Sequence, residues 1–198
     1  SALVGRPWGD MLTAVLGDVH PPFYYALVKV FSDTFGHGDI VMRLPAYLSS
    51  LGLIIAMHEI GRAHGGARVG RWAALLTALL PALAYYGAEA RYPAFMAFML
   101  ATSYIGIQKR HMGLVSSSLA LVSVSHVNGW FYVVLVGGYA LHQRRGLRSM
   151  FFPGLAIGLW FPVAAVQSAD VANGFWLQQS IPLRHIVDMT ITTRFSSI

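Results

Sequence analysis

The chain has 198 residues, 56% of them hydrophobic and only 11% charged, with a mean hydropathy of +0.56. Soluble domains carry about a quarter charged residues, so this composition excludes an ordinary water-soluble enzyme and points to a polytopic membrane protein. Cysteine is absent, which excludes a disulfide framework, thiolate chemistry and a cysteine-based metal site. The net charge of +6 fits basic residues retained in cytoplasmic loops rather than a nucleic-acid surface.

Residues 1–20 are mixed and turn-rich, with Gly5, Pro7, Gly9 and Gly17, and Met11 to Leu16 predict one or two helical turns. The chain opens at Ser1 with no apolar anchor ahead of Asp18, and it closes without a stop pattern, so it reads as a piece of a longer protein. Its most distinctive stretch is Gly17-Asp18-Val19-His20-Pro21-Pro22-Phe23-Tyr24-Tyr25. There an acid and an imidazole stand just ahead of a rigid proline pair, and Pro22 suits a first helical position. From 23 to 35 apolar residues recur at helical spacing (Phe23, Ala26, Leu27, Val30, Phe31), with Lys29 and Asp33 on the other side. This amphipathic helix ends at Gly36. It spans about 21 Å, short of the roughly 30 Å hydrocarbon core, so it is expected to lie in the membrane interface. The competing reading is a short crossing.

Six more apolar runs follow, at about 43–61, 70–88, 92–107, 112–126, 127–142 and 150–168. They contain Pro45, Pro81, Pro93, Pro153 and Pro162, which neighbouring helices can tolerate. The expected fold is an all-α, polytopic membrane helix bundle of about six transmembrane helices with an interfacial juxtamembrane helix at 23–35. Residues 1–42 form an extracytoplasmic loop carrying that helix, 43–168 the bundle, and 169–198 an extracytoplasmic tail or the start of a next loop.

Charge orients the bundle. The loops at 62–71, 109–111 and 144–148 hold Arg62, Arg68, Arg71, Lys109, Arg110, Arg144, Arg145 and Arg148, eight of the fourteen Lys and Arg, with Glu59 the one acid assigned beside them. Basic loops stay cytoplasmic. Residues 1–42, the turns at 87–92 and 126–129, and the tail from 169 then face the periplasm or lumen.

Three groups on that outer side could carry chemistry: Asp18 with His20, Glu89 and Arg91 in Glu89-Ala90-Arg91-Tyr92, and His126 with Asn128. Ionisable residues at membrane depth are costly and are functional candidates by default. Arg91 has the fork that suits phosphate oxygens, and Glu89 would orient it or sit at the reacting centre. Bland readings stand beside these. Glu89 and Arg91 could ion-pair with a neighbouring loop, Asp18 could be a turn residue, His20 could bond backbone at a helix entry, and His126 could be a turn residue. His37, His58, His64, His111, His142 and His185 are assigned no role. No ligand cluster suggests a metal, and no phosphate-binding loop suggests a soluble nucleotide site. Trp8, Phe23, Tyr24, Tyr25, Tyr85, Tyr86, Tyr92, Trp130, Phe131 and Trp176 gather near outer boundaries. They form either an aromatic belt, or a platform for sugar rings or a groove for a lipid tail.

Three segments together resemble a known family. They are Asp18-Val19-His20-Pro21-Pro22-Phe23-Tyr24-Tyr25, then Phe35-Gly36 with Met42-Arg43-Leu44-Pro45-Ala46, then Tyr85-Tyr86-Gly87-Ala88-Glu89-Ala90-Arg91-Tyr92, with a weaker fourth at Ser125-His126. In order and spacing over about 10–145 they resemble GT-C-fold glycosyltransferases of the protein O-mannosyltransferase and aminoarabinose lipid A transferase superfamily. The resemblance implies an inverting enzyme that moves a sugar from a polyprenyl-phosphate carrier to an extracytoplasmic acceptor, with no cofactor. It implies a lipid-phosphate contact at Arg91, further substrate contacts at Tyr92 and His126, and supporting catalytic roles for Asp18, His20 and Glu89. Family members carry an acidic motif early in the first outer loop that supplies the general base, and this chain starts after it, so the base is expected upstream. Two other readings compete. One is a non-catalytic GT-C-like subunit that scaffolds protein partners. The other is a lipid or small-solute transporter, against which the lack of paired half-repeats counts.

Overall fold

The computed structural model describes residues 4–16, 21–143 and 150–174. Every regular element among them is helical, in the order α1 (Trp8–Leu16), α2 (Phe23–Phe35), α3 (Asp39–Ala78), α4 (Pro81–Ala88), α5 (Pro93–Gln108), α6 (Met112–Ser125), α7 (Gly129–His142) and α8 (Phe151–Gly174). The loop at 144–148 and most of the tail, 175–198, lie outside the described residues, while α8 runs past the expected end at 168.

α1 begins earlier than its sequence suggests, because the Met11 amide donates to the Pro7 carbonyl at 2.9 Å and closes a first turn. Met11 and Val15, one turn apart, are both fully buried. α2 has the bounds its periodicity predicts, and Gly36 (φ 104) ends it in a conformation that side chains rarely adopt. Its buried face is not the expected one: Tyr24, Val28, Lys29 and Ser32 are buried, while Val30 is 49% exposed. The reason is that residues 4–8 roof the side that was expected to be solvated. Lys29 Nζ donates to the Val4 carbonyl at 3.3 Å and to Asp33 Oδ1 at 3.0 Å, and it lies 5.3 Å from the centre of the Trp8 ring. Trp8 Nε1 donates to Asp33 Oδ2 at 3.0 Å. The lysine stem is buried apolar surface, and its charge is met by a carboxylate, a carbonyl and a π face.

α3 is a helix that doubles back on itself. Gly65 (φ −151, ψ 22) and Gly66 (φ 76, ψ −174) are non-helical, and the Gly66 conformation is open essentially only to glycine. In a straight helix residues 61 and 70 would stand about 13.5 Å apart. Here a Cβ on Gly61 would lie 3.0 Å from Gly70 Cα and 2.9 Å from Ala73 Cβ. A Cβ on Gly70 would lie 2.7 Å from the His58 carbonyl oxygen. The backbones of the two limbs, 39–64 and 67–78, therefore touch at a small-residue crossing of the kind that lets membrane helices pack closely. The reversal falls inside the basic loop 62–71 that the sequence places between two runs. The second run, 70–88, is not continuous: Leu80 is extended (ψ 118) ahead of Pro81, which opens α4.

The remaining helices enclose the core. Ile107, Val115, Leu119, Val122, Val133 and Ala140 are buried together, with α5 packed on α3 and α6, and α6 on α7 and α8. Buried serines on α6 return their hydroxyls to the backbone, Ser123 to Ala120 O at 2.7 Å and Ser125 to Leu121 O at 2.5 Å. Ser116 Oγ accepts from the Phe152 amide at 3.1 Å and so satisfies the first turn of α8. The outward surface is apolar: Ile55, Leu76, Val134 and Leu159 are all more than 60% exposed. α3 is long and apolar enough to cross a membrane, and α5, α6, α7 and the first part of α8 are shorter apolar helices.

The α3 crossing gives a direct test. Gly70→Val places branched carbon against the His58 carbonyl, and overpacking of this kind costs about 1–3 kcal/mol. Thermal unfolding of the detergent-solubilised protein is expected to show a clear loss of Tm, whereas Gly38→Val, at an open position, leaves it unchanged.

Candidate functional site

The doubling of α3 sets the site. Gly87 of α4 comes back onto the first limb, where a Cβ would sit 2.5 Å from Ser50 Oγ. The 89–92 turn therefore arrives beside the first turns of α3, and it leads directly into α5 beside α2. Around this turn lie two cavities with Arg91 and Ala90 in the wall of both.

The first cavity, of about 410 Å³, is lined by Pro21, Tyr24, Tyr25, Tyr86, Ala90, Arg91, Tyr92, Pro93 and Ser125. Tyr92 stacks on His126 with ring centroids 4.2 Å apart and planes 18° from parallel. The Asn128 amide donates to His126 Nδ1 at 3.0 Å, so the neutral ring carries its proton on Nε2. Tyr24 is 6% exposed and is held by Phe95, whose ring centroid lies 6.2 Å from its own. Its buried hydroxyl has no hydrogen-bond partner among the described residues, and burial pushes its pKa upward. The phenol is therefore a neutral donor at any ordinary pH.

The second cavity, of about 560 Å³, is lined by Asp39, Met42, Arg43, Tyr85, Ala88, Glu89, Ala90 and Arg91. Glu89 and Arg91 pair with each other rather than with another loop: Arg91 Nε lies 3.6 Å from Glu89 Oε2, and the Arg91 amide donates to the Glu89 carbonyl at 2.8 Å. The ion pair is too long for a hydrogen bond, and Glu89 Oε2 is buried with no hydrogen-bond partner among the described residues. The Arg91 side chain is 71% exposed. Glu89 is its one carboxylate partner among those residues, and a guanidinium can also hold an anion bidentately. Arg43 has no ion pair among them. A third, open groove of about 740 Å³ is almost wholly apolar, with Leu12, Pro22, Phe23, Leu121, Leu155 and Trp160 in its walls, and it shares Pro21 with the first cavity.

Of the residues singled out from sequence, Glu89, Arg91, Tyr92 and His126 are brought together. Asp18 and His20 lie outside the described residues; Pro21, which follows His20, is in the wall of the first cavity. Sequence reasoning left Tyr24, Tyr25 and Tyr86 between an aromatic belt and a sugar platform or lipid groove, without a role for any one of them, and assigned nothing to Asp39 or Arg43. The available signal was adjacency, since each lies within or close to one of the motif segments. Among the described residues no three His, Asp or Glu side chains gather as a metal would require.

An all-helical fold with an apolar outer surface and one long and several shorter apolar helices fits a membrane protein, and a polar, arginine-bearing cavity lies where several of its helices end. A family model described as dolichyl-phosphate-mannose-protein mannosyltransferase matches residues 19–168. The chain belongs to that family of membrane glycosyltransferases. No curated protein and no solved structure matches it.

The stacked pair is measurable. Offset or stacked aromatic pairs contribute about 0.5–1.5 kcal/mol beyond burial. A double-mutant cycle of Tyr92→Leu and His126→Leu is expected to return a coupling of that size in chemical or thermal unfolding, and additive losses would show that the rings do not support each other.

Proposed function

We propose that the protein is a mannosyltransferase that takes mannose from a dolichyl- or polyprenyl-phosphate carrier and transfers it to an acceptor outside the cytoplasm. The observation that carries this reading is the tyrosine-lined cavity. It combines an exposed guanidinium, a buried phenol with no hydrogen-bond partner among the described residues, and a stacked aromatic pair, all within the matched segment. A sugar phosphate needs these three features: a cation for the phosphate, donors for hydroxyls, and a ring face for the sugar's C–H surface.

In this reading Arg91 binds the phosphate and neutralises charge as the C1–O bond breaks. Glu89 fixes the Nε side of Arg91 and so aims its Nη edge. Tyr24 donates to a sugar hydroxyl or phosphate oxygen, and Tyr92 on His126 is the platform. Asp18 and His20 enter from the 17–20 segment, beside Pro21, and shape the acceptor end. The apolar groove against α6 and α8 receives the start of the polyprenyl chain, consistent with Pro21 lying in the walls of both groove and first cavity. The two limbs of α3, the second continued by α4, and α5 to α8 supply six crossings, α2 lies in the interface, and the cavity faces the periplasm or lumen.

Two experiments bear on this. With polyprenyl-phosphate-mannose and the full-length protein, Arg91→Ala is expected to lower kcat/KM by about 10²-fold or more, as loss of a charge-stabilising donor does. Tyr24→Phe is expected to lower it by about two- to tenfold, the value of one neutral hydrogen bond. Unchanged turnover in both would sink the site. Separately, single cysteines at 90 and 128 should react with an impermeant reagent from the outer side, and cysteines at 67 and 111 only from the cytoplasmic side; the reverse pattern would overturn the orientation.

A further inference from the structure

The opposite end of the bundle gathers basic residues that are distant in sequence. His64, just ahead of the Gly65-Gly66 reversal, stacks on Tyr104 of α5 with planes 12° apart and has Nε2 3.1 Å from the tyrosine hydroxyl. Gln108, the last residue of α5, reaches the same imidazole at 3.4 Å. These contacts dock the 62–71 turn against the 109–111 turn. Arg62, Arg68, Arg71, Lys109 and Arg110 therefore share one end, and all are exposed. The one acid beside them, Glu59, accepts from Arg62 at 2.8 Å and feels the charge of Lys109. Arg68, Arg71, Lys109 and Arg110 have no ion pair among the described residues.

The surface beside these cations is not polar. Trp72 is 58% exposed, Leu75 45% and Leu76 64%, and they follow Arg68 and Arg71 along the second limb of α3. A partner that fits must present anionic oxygens to the turn and apolar surface immediately beside it. An acidic soluble protein meets only the first requirement. A phospholipid meets both, because its phosphate sits at the level of the arginines and its acyl chains lie along the leucines, with the indole at the boundary where Trp is favoured.

We propose that this end is a binding site for anionic phospholipid headgroups, formed by Arg68 and Arg71 on one turn and Lys109 and Arg110 on the other. The two turns suit a lipid with two phosphates, or a pair of singly charged lipids. Arginine forks hold phosphate oxygens bidentately, and the lysine adds a point charge. The site fixes the depth of the α3 reversal in its leaflet and offsets the repulsion among cations that the fold brings together.

The test uses the full-length protein, delipidated in neutral detergent and titrated with phosphatidylglycerol, cardiolipin or phosphatidylcholine. Native mass spectrometry is expected to show a roughly tenfold or greater preference for the anionic lipids, since each basic residue near an anionic surface contributes severalfold. The anionic lipids should also raise Tm, an effect that added salt diminishes. The combined variant Arg68→Gln, Arg71→Gln, Lys109→Gln, Arg110→Gln should lose the preference and the Tm rise, while its Tm in phosphatidylcholine is no lower than the wild-type value. Arg68→Lys with Arg71→Lys should retain most of the effect. The proposal is overturned by equal binding of phosphatidylcholine, by full retention in the quadruple Gln variant, or by loss in the Lys variant equal to that in the Gln variant. It is also overturned if a soluble poly-glutamate peptide produces the same Tm rise, which would assign the surface to a protein partner.

Discussion

The close approach of two backbones at Gly61 and Gly70 is the contact on which the rest of the structure depends. With side chains there, the limbs of α3 would stand a methyl group or more further apart, and Gly87 could not settle against Ser50 at the other end. The 89–92 turn would then leave the neighbourhood of Asp39 and Arg43, and the two cavities would lose their common wall at Arg91. The glycines at 65 and 66 allow the reversal, while those at 61, 70 and 87 set its width. In a bilayer this matters more than in water, because lipid gives helices little hydrophobic reason to associate and close van der Waals contact must supply it.

The second constraint is electrostatic sorting along the bundle. The reversal and the α5–α6 turn collect basic residues at one end, and the 89–92 and 126–128 turns collect the polar site at the other. Between them the buried polar groups are mostly serine and threonine hydroxyls that return to their own helix backbone. Among the described residues the apolar middle is thereby kept largely free of charge, and ionisable groups concentrate at the helix ends. Ends are also where backbone groups are unsatisfied and turns can carry unusual residues, so the fold places its ionisable side chains where a polar ligand can reach them.

Much of this was legible in the sequence, and the limits have physical causes. The α2 bounds followed from apolar spacing and the Gly36 stop, and the α3 reversal from a charged, glycine-bearing gap between apolar runs. The Glu89, Arg91, Tyr92 and His126 grouping followed from charge-based topology combined with a family-like pattern. Periodicity misjudged the buried face of α2, because it assumes that the polar side meets solvent. It could not know that residues 4–8 fold over Lys29 and supply a carbonyl and an indole face. The break at Leu79-Leu80 was hidden because both residues are apolar and only the proline that follows marks it. Tyr24 could not be told from the other outer-boundary aromatics, since its distinguishing property is a buried hydroxyl with no partner among the described residues, and that exists only in three dimensions.

Unmet polar atoms tie these strands together. Three buried side-chain atoms among the described residues lack a hydrogen bond: the Tyr24 hydroxyl, Glu89 Oε2 and Trp160 Nε1. Each belongs to a residue that lines a different one of the three cavities. Leaving a buried polar atom unpaired costs about 1–3 kcal/mol, and among the described residues such atoms occur only around these cavities. Under the proposed function they have distinct uses. The phenol donates to the sugar phosphate, the indole N–H meets a polar atom where the carrier chain leaves its phosphate, and the carboxylate oxygen is open to an acceptor's hydroxyl. The last point bears on Glu89 in particular. Its hold on Arg91 is through a long contact, which leaves Oε2 able to take a proton donor without releasing the arginine. One carboxylate can therefore aim the phosphate ligand and still face the second cavity, whose wall also holds Asp39 and Arg43.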